Sequence, residues 1–594
     1  MAEVPVDAHA FLHDENYDRP YNPQNLNHAG MVFVGGRACE SLNGVWRVCL
    51  DPFDTGLRQD WPRLQPLPSE ARTLPCDYDP ESGDTVPVPS SLNLVKPEWF
   101  LYEGGAWFTR EFAYQPRVAT ERVVLRVGAA NYDTKVFLNG EFLGNHYGAS
   151  TPFFVELTGR LRSDNRLQLF VSNTRKADRV PMHHFDWFNY TGIHREVELL
   201  RLSTVFIKDF FVRLVPGGDR RAIAVSVALS EPVATTASCS LPGLGIRATI
   251  PIVAGRGEVE LVAHPDCWSP ERPTLYEVVV ETSGDRVSDR VGFREISVRG
   301  SEILLNGQPV FLRGICVHED DEQTGRVTSR EDIARRLAHT KELGCNFLRL
   351  AHYPHHEWVV QMADKAGIML WEEIPVYWAV DFGNPATLHD ATNQLSELIL
   401  RDRNRASVIL WGLGNENADT DARLHFMARL AGTARALDAT RLVSAACLID
   451  KKAQRIADRL AAELDVIGIN EYYGWYDPDF SELAAIGRNS SPGKPVIVTE
   501  TGGDALSGLH GAETVLTTEE HQAWIYRNQI ATLRGIPFVR GMAPWALYDF
   551  RSLRRQNSHQ RGYNIKGLIA RDKRTKKAAF AALQAFYREQ KTLC

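Results

Sequence analysis

The chain has 594 residues, more than one hydrophobic core organises, so two to four domains are expected. Its composition, 44% hydrophobic and 24% charged with a formal net charge of −7, is that of an ordinary water-exposed globular protein. That balance excludes the basic field of a nucleic-acid binder or of a protein held on an anionic membrane. The nine cysteines form no Cys-x-x-Cys pair and no metal-ligand spacing, and read as thiols of a reducing compartment. The first residues lack a basic stretch followed by an apolar one, and no later stretch approaches the length of a membrane span, so a cytoplasmic location is expected.

Residues 1–202 alternate short apolar runs (122–127, 134–138, 166–171) with turn residues such as Asn139-Gly140, which predicts a β-sandwich of jelly-roll type. Residues 203–298 form a second strand-rich block, with runs at 222–229 and 276–281, of a length that suits an immunoglobulin-like sandwich. From residue 299 to 594 strands and helices alternate. Eight strands are predicted, at 311–317, 347–351, 368–372, 408–413, 442–446, 466–470, 496–499 and 539–543, with helices between them. That pattern and length predict a (β/α)8 TIM barrel, whose chemistry sits at the C-terminal ends of its strands.

Two stretches end at that rim in a carboxylate. The run 409–417 (ILWGLGNEN) leaves the core at Asn415 and Glu416, and 495–503 (PVIVTETGG) delivers Glu500. These are the ends of the fourth and seventh strands. Two carboxylates on one barrel rim suffice to cleave a glycosidic bond with retention, one as nucleophile and one as acid then base, about 5–5.5 Å apart. The alternative is that both are rim carboxylates paired to nearby arginines.

The chain resembles glycoside hydrolase family 2, and within it the β-glucuronidases, over nearly its full length and in the same order of domains. Residues 346–354 (NFLRLAHYP) are similar to the family's first signature, and 411–416 to its acid/base signature. The resemblance implies that Glu416 is the general acid/base, that Asn415 bonds the sugar 2-hydroxyl, and that Glu500 is the nucleophile. It further implies that Asn564 and Lys566 (RGYNIKGL) grip the C6 carboxylate of a uronic acid, that Asp186 (FDWFNYTGIHR, 185–195) binds a sugar hydroxyl, and that Tyr472 and Tyr476 (NEYYGWY, 470–476) meet the nucleophile and the uronate. His318 and Asp320 (VHED) and His352 fit substrate-binding or supporting roles, and Trp545 a stacking floor. Packing is the competing role for the aromatics and histidines, and a place in a basic tail for Lys566. Three histidines at a barrel mouth do not show zinc-ligand spacing.

Two departures stand out. Asn417 follows the acid/base where many β-glucuronidases have proline, and loop eight (548–564) carries Arg551, Arg554, Arg555 and Arg561, which either assist the carboxylate, read an acidic aglycone or anchor the loop. The implied activity is hydrolysis of terminal β-linked glucuronic acid from glucuronides or acidic oligosaccharides, without a cofactor or metal, by a homo-oligomer, a dimer or tetramer. A β-galacturonidase, a neutral-sugar β-galactosidase and a non-enzymatic carbohydrate-binding protein remain as alternatives.

Overall fold

The computed structural model describes residues 24–63, 83–217 and 219–593. Contacts divide the chain into two units. The first comprises residues up to 30, 39–174 and 189–202, so far as they are described. It holds a four-stranded and a six-stranded sheet, all antiparallel. Strand Asp164–Ser172 pairs with Gly105–Ala113 over its whole length, and Leu167, Leu169 and Val171 point alternately into the buried core with Val123, Leu125 and Val127. The predicted sandwich is thus produced by period-two burial.

The second unit comprises 31–38, 175–188 and 203–594. Its seven-stranded sandwich, three strands (Ile207–Leu214, Ala222–Leu229, Arg256–Val262) against four (Ile246–Ile252, Thr235–Leu241, Tyr276–Glu281, Arg286–Val291), has the strand number of an immunoglobulin constant-type domain. Arg294 ties this block to the barrel, donating from Nη2 to the Val408 carbonyl (2.7 Å) and from Nη1 to that of Thr440 (2.8 Å).

The barrel strands are β1 (Leu312–Arg313 and Cys316–Val317), β2 (Phe347–Leu350), β3 (Met369–Glu373), β4 (Val408–Asn415), β5 (Leu442–Cys447), β6 (Val466–Asn470), β7 (Val496–Glu500) and β8 (Val539–Met542). All neighbours are parallel, and β1 closes the ring by pairing with β8 through its first segment and with β2 through its second. Gly314 interrupts β1, where a Cβ would meet the Phe347 ring at 2.5 Å, so the strand expected as one run is two short ones. Inside the barrel, Phe347, Trp371, Ile409, Ile497 and Ala543 fill the bore, each large aliphatic or aromatic side chain worth about 1.5–3 kcal/mol of burial.

Seven helices follow: α1 (Arg330–Glu342), α2 (Glu357–Ala366), α3 (Pro385–Asp402), α4 (Asp421–Leu437), α5 (Phe480–Asn489), α6 (Glu519–Leu533) and α7 (Ala578–Leu593). Ser329 and Asp332 form a reciprocal capping box that starts α1. The alternation fails once. Between β5 and β6 there is only a 3-10 turn, Arg459–Ala462, capped by Asp458, which also pairs with buried Arg423 at 2.7 Å.

Residues 175–188, expected within the first sandwich, pack with the barrel instead. The Val180 amide donates to Asp390 on α3 (3.0 Å), and its carbonyl accepts from Gln394 (2.8 Å). Among the described residues, no helix is long and apolar enough to cross a membrane.

Candidate active site

The β4 strand ends at Asn415, and the register with β5 slips between Gly412 and Asn415. Glu416 follows with φ 53°, a left-handed backbone that a non-glycine residue adopts at a cost and that turns its side chain out of the ladder. The half-buried Glu416 carboxylate accepts a hydrogen bond from Trp378 Nε1 at 2.7 Å. Burial, and then the negative charge of Glu500, hold its pKa above the ordinary carboxylate value, against the opposing pull of bonds from Asn470 and Trp378. A shift in this direction favours the acid form, which is the form a proton donor uses.

Glu500 at the end of β7 lies in the same cavity, with both oxygens engaged. Arg349 Nη1 donates to Oε1 (2.7 Å) and the Tyr472 hydroxyl to Oε2 (2.7 Å). Arg349 on β2 is fully buried and serves several groups at once, the Thr499 carbonyl (3.2 Å) among them. Besides Glu500 it holds Glu373 through Nε (2.9 Å) and Nη2 (3.0 Å), and the Asn415 Oδ1 (2.8 Å). Burial pushes Glu373 toward the neutral acid, but the Arg349 guanidinium and His352 outweigh it and leave its pKa below the usual value. His352 Nδ1 lies 2.7 Å from Glu373, and its ring stacks on Trp545 at 4.8 Å. Asn415 Oδ1 also accepts from Asn470 (3.1 Å), while its buried Nδ2 has no partner among the described residues.

The cavity at this rim has a volume of about 210 Å³. One wall is built from charged pairs. Lys566 Nζ donates to Asp504 (2.7 Å, both buried) and to the Tyr476 hydroxyl (3.2 Å). Arg555 binds Asp186 through Nε (3.0 Å) and Nη2 and reaches the Tyr476 hydroxyl from Nη1 (3.2 Å). Burial acts to raise the Tyr476 pKa, and Lys566 with Arg555 overcome it and lower it. Asn564 Nδ2 lies 3.4 Å from Asp186, and its Oδ1 accepts the Lys566 amide (3.2 Å). Among the described residues, no group of three or more His, Cys, Asp or Glu side chains is arranged to hold a metal ion.

Models of glycosyl hydrolases family 2 match the chain in three consecutive pieces: the sugar binding domain at 39–203, the family's middle segment at 205–294 and its TIM barrel domain at 296–591. The chain belongs to glycoside hydrolase family 2. A protein of Paenibacillus borealis named beta-glucuronidase is 29% identical, with 91% of this chain and 96% of the relative covered. The human protein of that name is 28% identical over 93% of this chain and 91% of the relative. A solved beta-glucuronidase from an uncultured Clostridium superposes with a TM-score of 0.82 at 27% identity, covering 93% of this chain and 98% of that one.

Within this family 2 fold, the residues singled out in the sequence sort into three positions. Glu416, Glu500, Asp186, Tyr472, Tyr476, Trp545, Asn564 and Lys566 line the cavity. Asn415 and His352 sit directly behind it through Arg349 and Glu373. His318 and Asp320, expected in substrate-binding or supporting roles, are not part of the lining. His318 packs against Phe550 and Trp545 with Nδ1 3.1 Å from the Tyr353 hydroxyl, and Asp320 accepts the Arg551 backbone N–H (3.1 Å). Both hold up loop eight and the floor; burial drives the His318 pKa well below its ordinary value.

Four functional groups escaped the reading of the sequence: Arg349, Glu373, Trp378 and Asp504. Asn417, the departure from the family pattern, donates to the carbonyls of Val376 (3.2 Å) and Trp378 (2.8 Å), and so fixes the segment whose indole reaches Glu416. A proline there has no side-chain donor.

A raised Glu416 pKa, in a reaction that draws on its acid form, predicts a basic limb in the pH profile. The kcat/KM is expected to fall as pH rises through the raised Glu416 pKa, because the acid form is lost above it. In Glu500→Gln the charge contribution disappears and burial remains, so the Glu416 titration should move part of the way down. Difference infrared titration of the Glu416 carboxyl checks this; an unmoved titration would show that Glu500 does not set it.

Proposed function

We propose that this family 2 member is a retaining exo-β-glucuronidase that releases terminal β-linked glucuronic acid. The observation that carries the reading is the buried Lys566 ammonium in the cavity wall, with two of its three N–H groups bonded to Asp504 and Tyr476. The third donor is available to a C6 carboxylate, next to an Asn564 amide that has one of its own; a neutral hydroxymethyl would accept it only as an ordinary hydrogen bond, without the gain of a charged acceptor. The relatives named beta-glucuronidase support the same reading.

In the first step a Glu500 oxygen forms a bond to the anomeric carbon as the bond to the leaving oxygen breaks, and Glu416 gives that oxygen its proton. Arg349 and Tyr472 orient the attacking carboxylate, and Asn415 Nδ2, the free end of an amide whose oxygen is already bound, meets the sugar 2-hydroxyl. The glycosyl ester no longer carries the Glu500 charge, so one of the two influences that raise the Glu416 pKa is withdrawn as Glu416 becomes the base, while burial remains. It then takes a proton from water, which attacks the anomeric carbon and frees the sugar with retained configuration.

The seven described cysteines are free, and Cys239, Cys316, Cys345 and Cys447 are buried thiols, which supports a reducing compartment. A cytoplasmic homo-oligomer, a dimer or tetramer, acting on a carbohydrate belongs to the same proposal.

The test compares matched chromogenic β-glucuronide, β-galacturonide and β-galactoside. A uronide should be preferred, and Lys566→Ala should lower its kcat/KM by about 10- to 100-fold, the worth of a hydrogen bond to a charged group, with the galactoside unchanged. Because Asp504 would be left as an unpaired carboxylate, the Lys566→Ala/Asp504→Asn pair separates lost attraction from new repulsion. Preference for the galactoside, with the variants unaffected, would sink the uronide reading; preference for the galacturonide would move it to the C4 epimer.

A further inference from the structure

Loop eight carries four arginines, and internal bonds account for three. Arg551 donates to the carbonyls of Asp321 (2.7 Å) and Glu322, Arg555 is held by Asp186, and Arg561 Nε donates to the Ser558 carbonyl (3.0 Å). Arg554 is exposed and forms no ion pair among the described residues. Its guanidinium instead lies over Trp378, 4.5 Å from the ring centroid.

Trp378 is a fixed platform. Its amide donates to the Asn415 carbonyl (2.8 Å), its carbonyl accepts from Asn417, and its φ is 55°. Its indole N–H is spent on Glu416. A general acid has to stand beside the leaving oxygen, so whatever is attached beyond that oxygen passes the groups around Glu416 on its outer side. Those groups are Trp378 and the cation on it. A guanidinium stacked on an aromatic face keeps its donor edge free and gives up little freedom when it binds a carboxylate or sulfate. The cations that line the cavity are already paired: Lys451 with Asp477 (2.6 Å), Arg555 with Asp186 and Lys566 with Asp504 (2.7 Å).

We propose that Arg554, seated on Trp378, binds an anionic group on the leaving group, so that the preferred substrates are uronides linked to an acidic sugar or other acidic aglycone. This rests on the uronide reading above. It makes Arg554 a specificity residue that touches the departing half of the substrate, where Lys566 touches the half that is retained.

The test uses 3-carboxyphenyl, 3-sulfophenyl and neutral 3-carbamoylphenyl β-glucuronides, and the same three β-galacturonides, with wild type, R554A, R554K and R554E. R554A should lower kcat/KM for the acidic members about five-fold more than for the neutral one, the upper range for an exposed ion pair. R554E should turn the preference against the acidic members, R554K should keep part of it, and the wild-type advantage should shrink as salt is added. An effect on only the carboxylate or only the sulfonate supports the proposal and names the anion. Equal changes on acidic and neutral members in both R554A and R554E overturn it. If wild type cleaves none of the six uronides, the uronide reading itself fails and this inference goes with it.

Discussion

Glu500→Gln is expected to lower kcat on an aryl β-glucuronide by on the order of 10⁴-fold or more, whatever the leaving group, because a neutral carboxamide oxygen is too weak a nucleophile to form the covalent intermediate. Glu416→Ala should behave differently. With a phenol that needs a proton to depart, the loss should be about 10²- to 10⁴-fold, the usual worth of general acid catalysis. With a dinitrophenolate, which departs unaided, the first step should survive and the glycosyl-enzyme should accumulate as a burst. Azide, which needs no general base, should then restore turnover and yield the β-glucuronyl azide. If both variants lose activity in parallel across leaving groups, with no burst and no azide product, the division of labour between the two glutamates is wrong.

Arg349 gives the second large effect, and on stability as well as rate. In Arg349→Met the side-chain volume is nearly kept but the buried Glu373 and Glu500 lose the cation they share. Breaking a buried ionic network from one side costs about 3–5 kcal/mol, because the remaining charges are left unpaired. Urea titration of the barrel's transition should show a loss of that size, and activity should fall with the loosened nucleophile. Adding Glu373→Gln removes one stranded charge and should recover part of the stability while leaving the activity low. A single variant as stable as wild type would mean that the network is not what holds the nucleophile strand to β2.

The two glutamates were legible because each closes an apolar strand with a carboxylate, a local signal that survives without any knowledge of the fold. Arg349 was equally visible in NFLRLAHYP, yet its meaning depended on what the barrel brings beside it. The available sign was an arginine inside an otherwise apolar parallel strand, which has to be paired when buried. Asp504 and Arg555 lie on loops, where no periodicity indicates direction, and the aromatic platform at Trp378 depends on a backbone conformation that composition does not specify. For His318 and Asp320 the sequence left substrate-binding and supporting roles open, and their place behind the lining fits the supporting one. The end of β1 is a rim position by strand logic, but Phe550 and the Arg551 backbone occupy the space in front of it.

The strip 175–188 has a consequence for how this protein can be divided. It is encoded upstream of the immunoglobulin-like block, yet its Asp186 is bound by Ser552, Arg555 and Asn564 at the mouth of the barrel. The stretch that folds as a barrel and the stretch that works as a catalyst are therefore different lengths of chain. A gene fragment beginning at the first barrel strand would keep both glutamates and Lys566 while leaving Arg555 without its carboxylate. Exchange of barrels between relatives would meet the same obstacle, since a transplanted barrel arrives without the matching strip. The cavity wall is thus assembled from two separate lengths of chain.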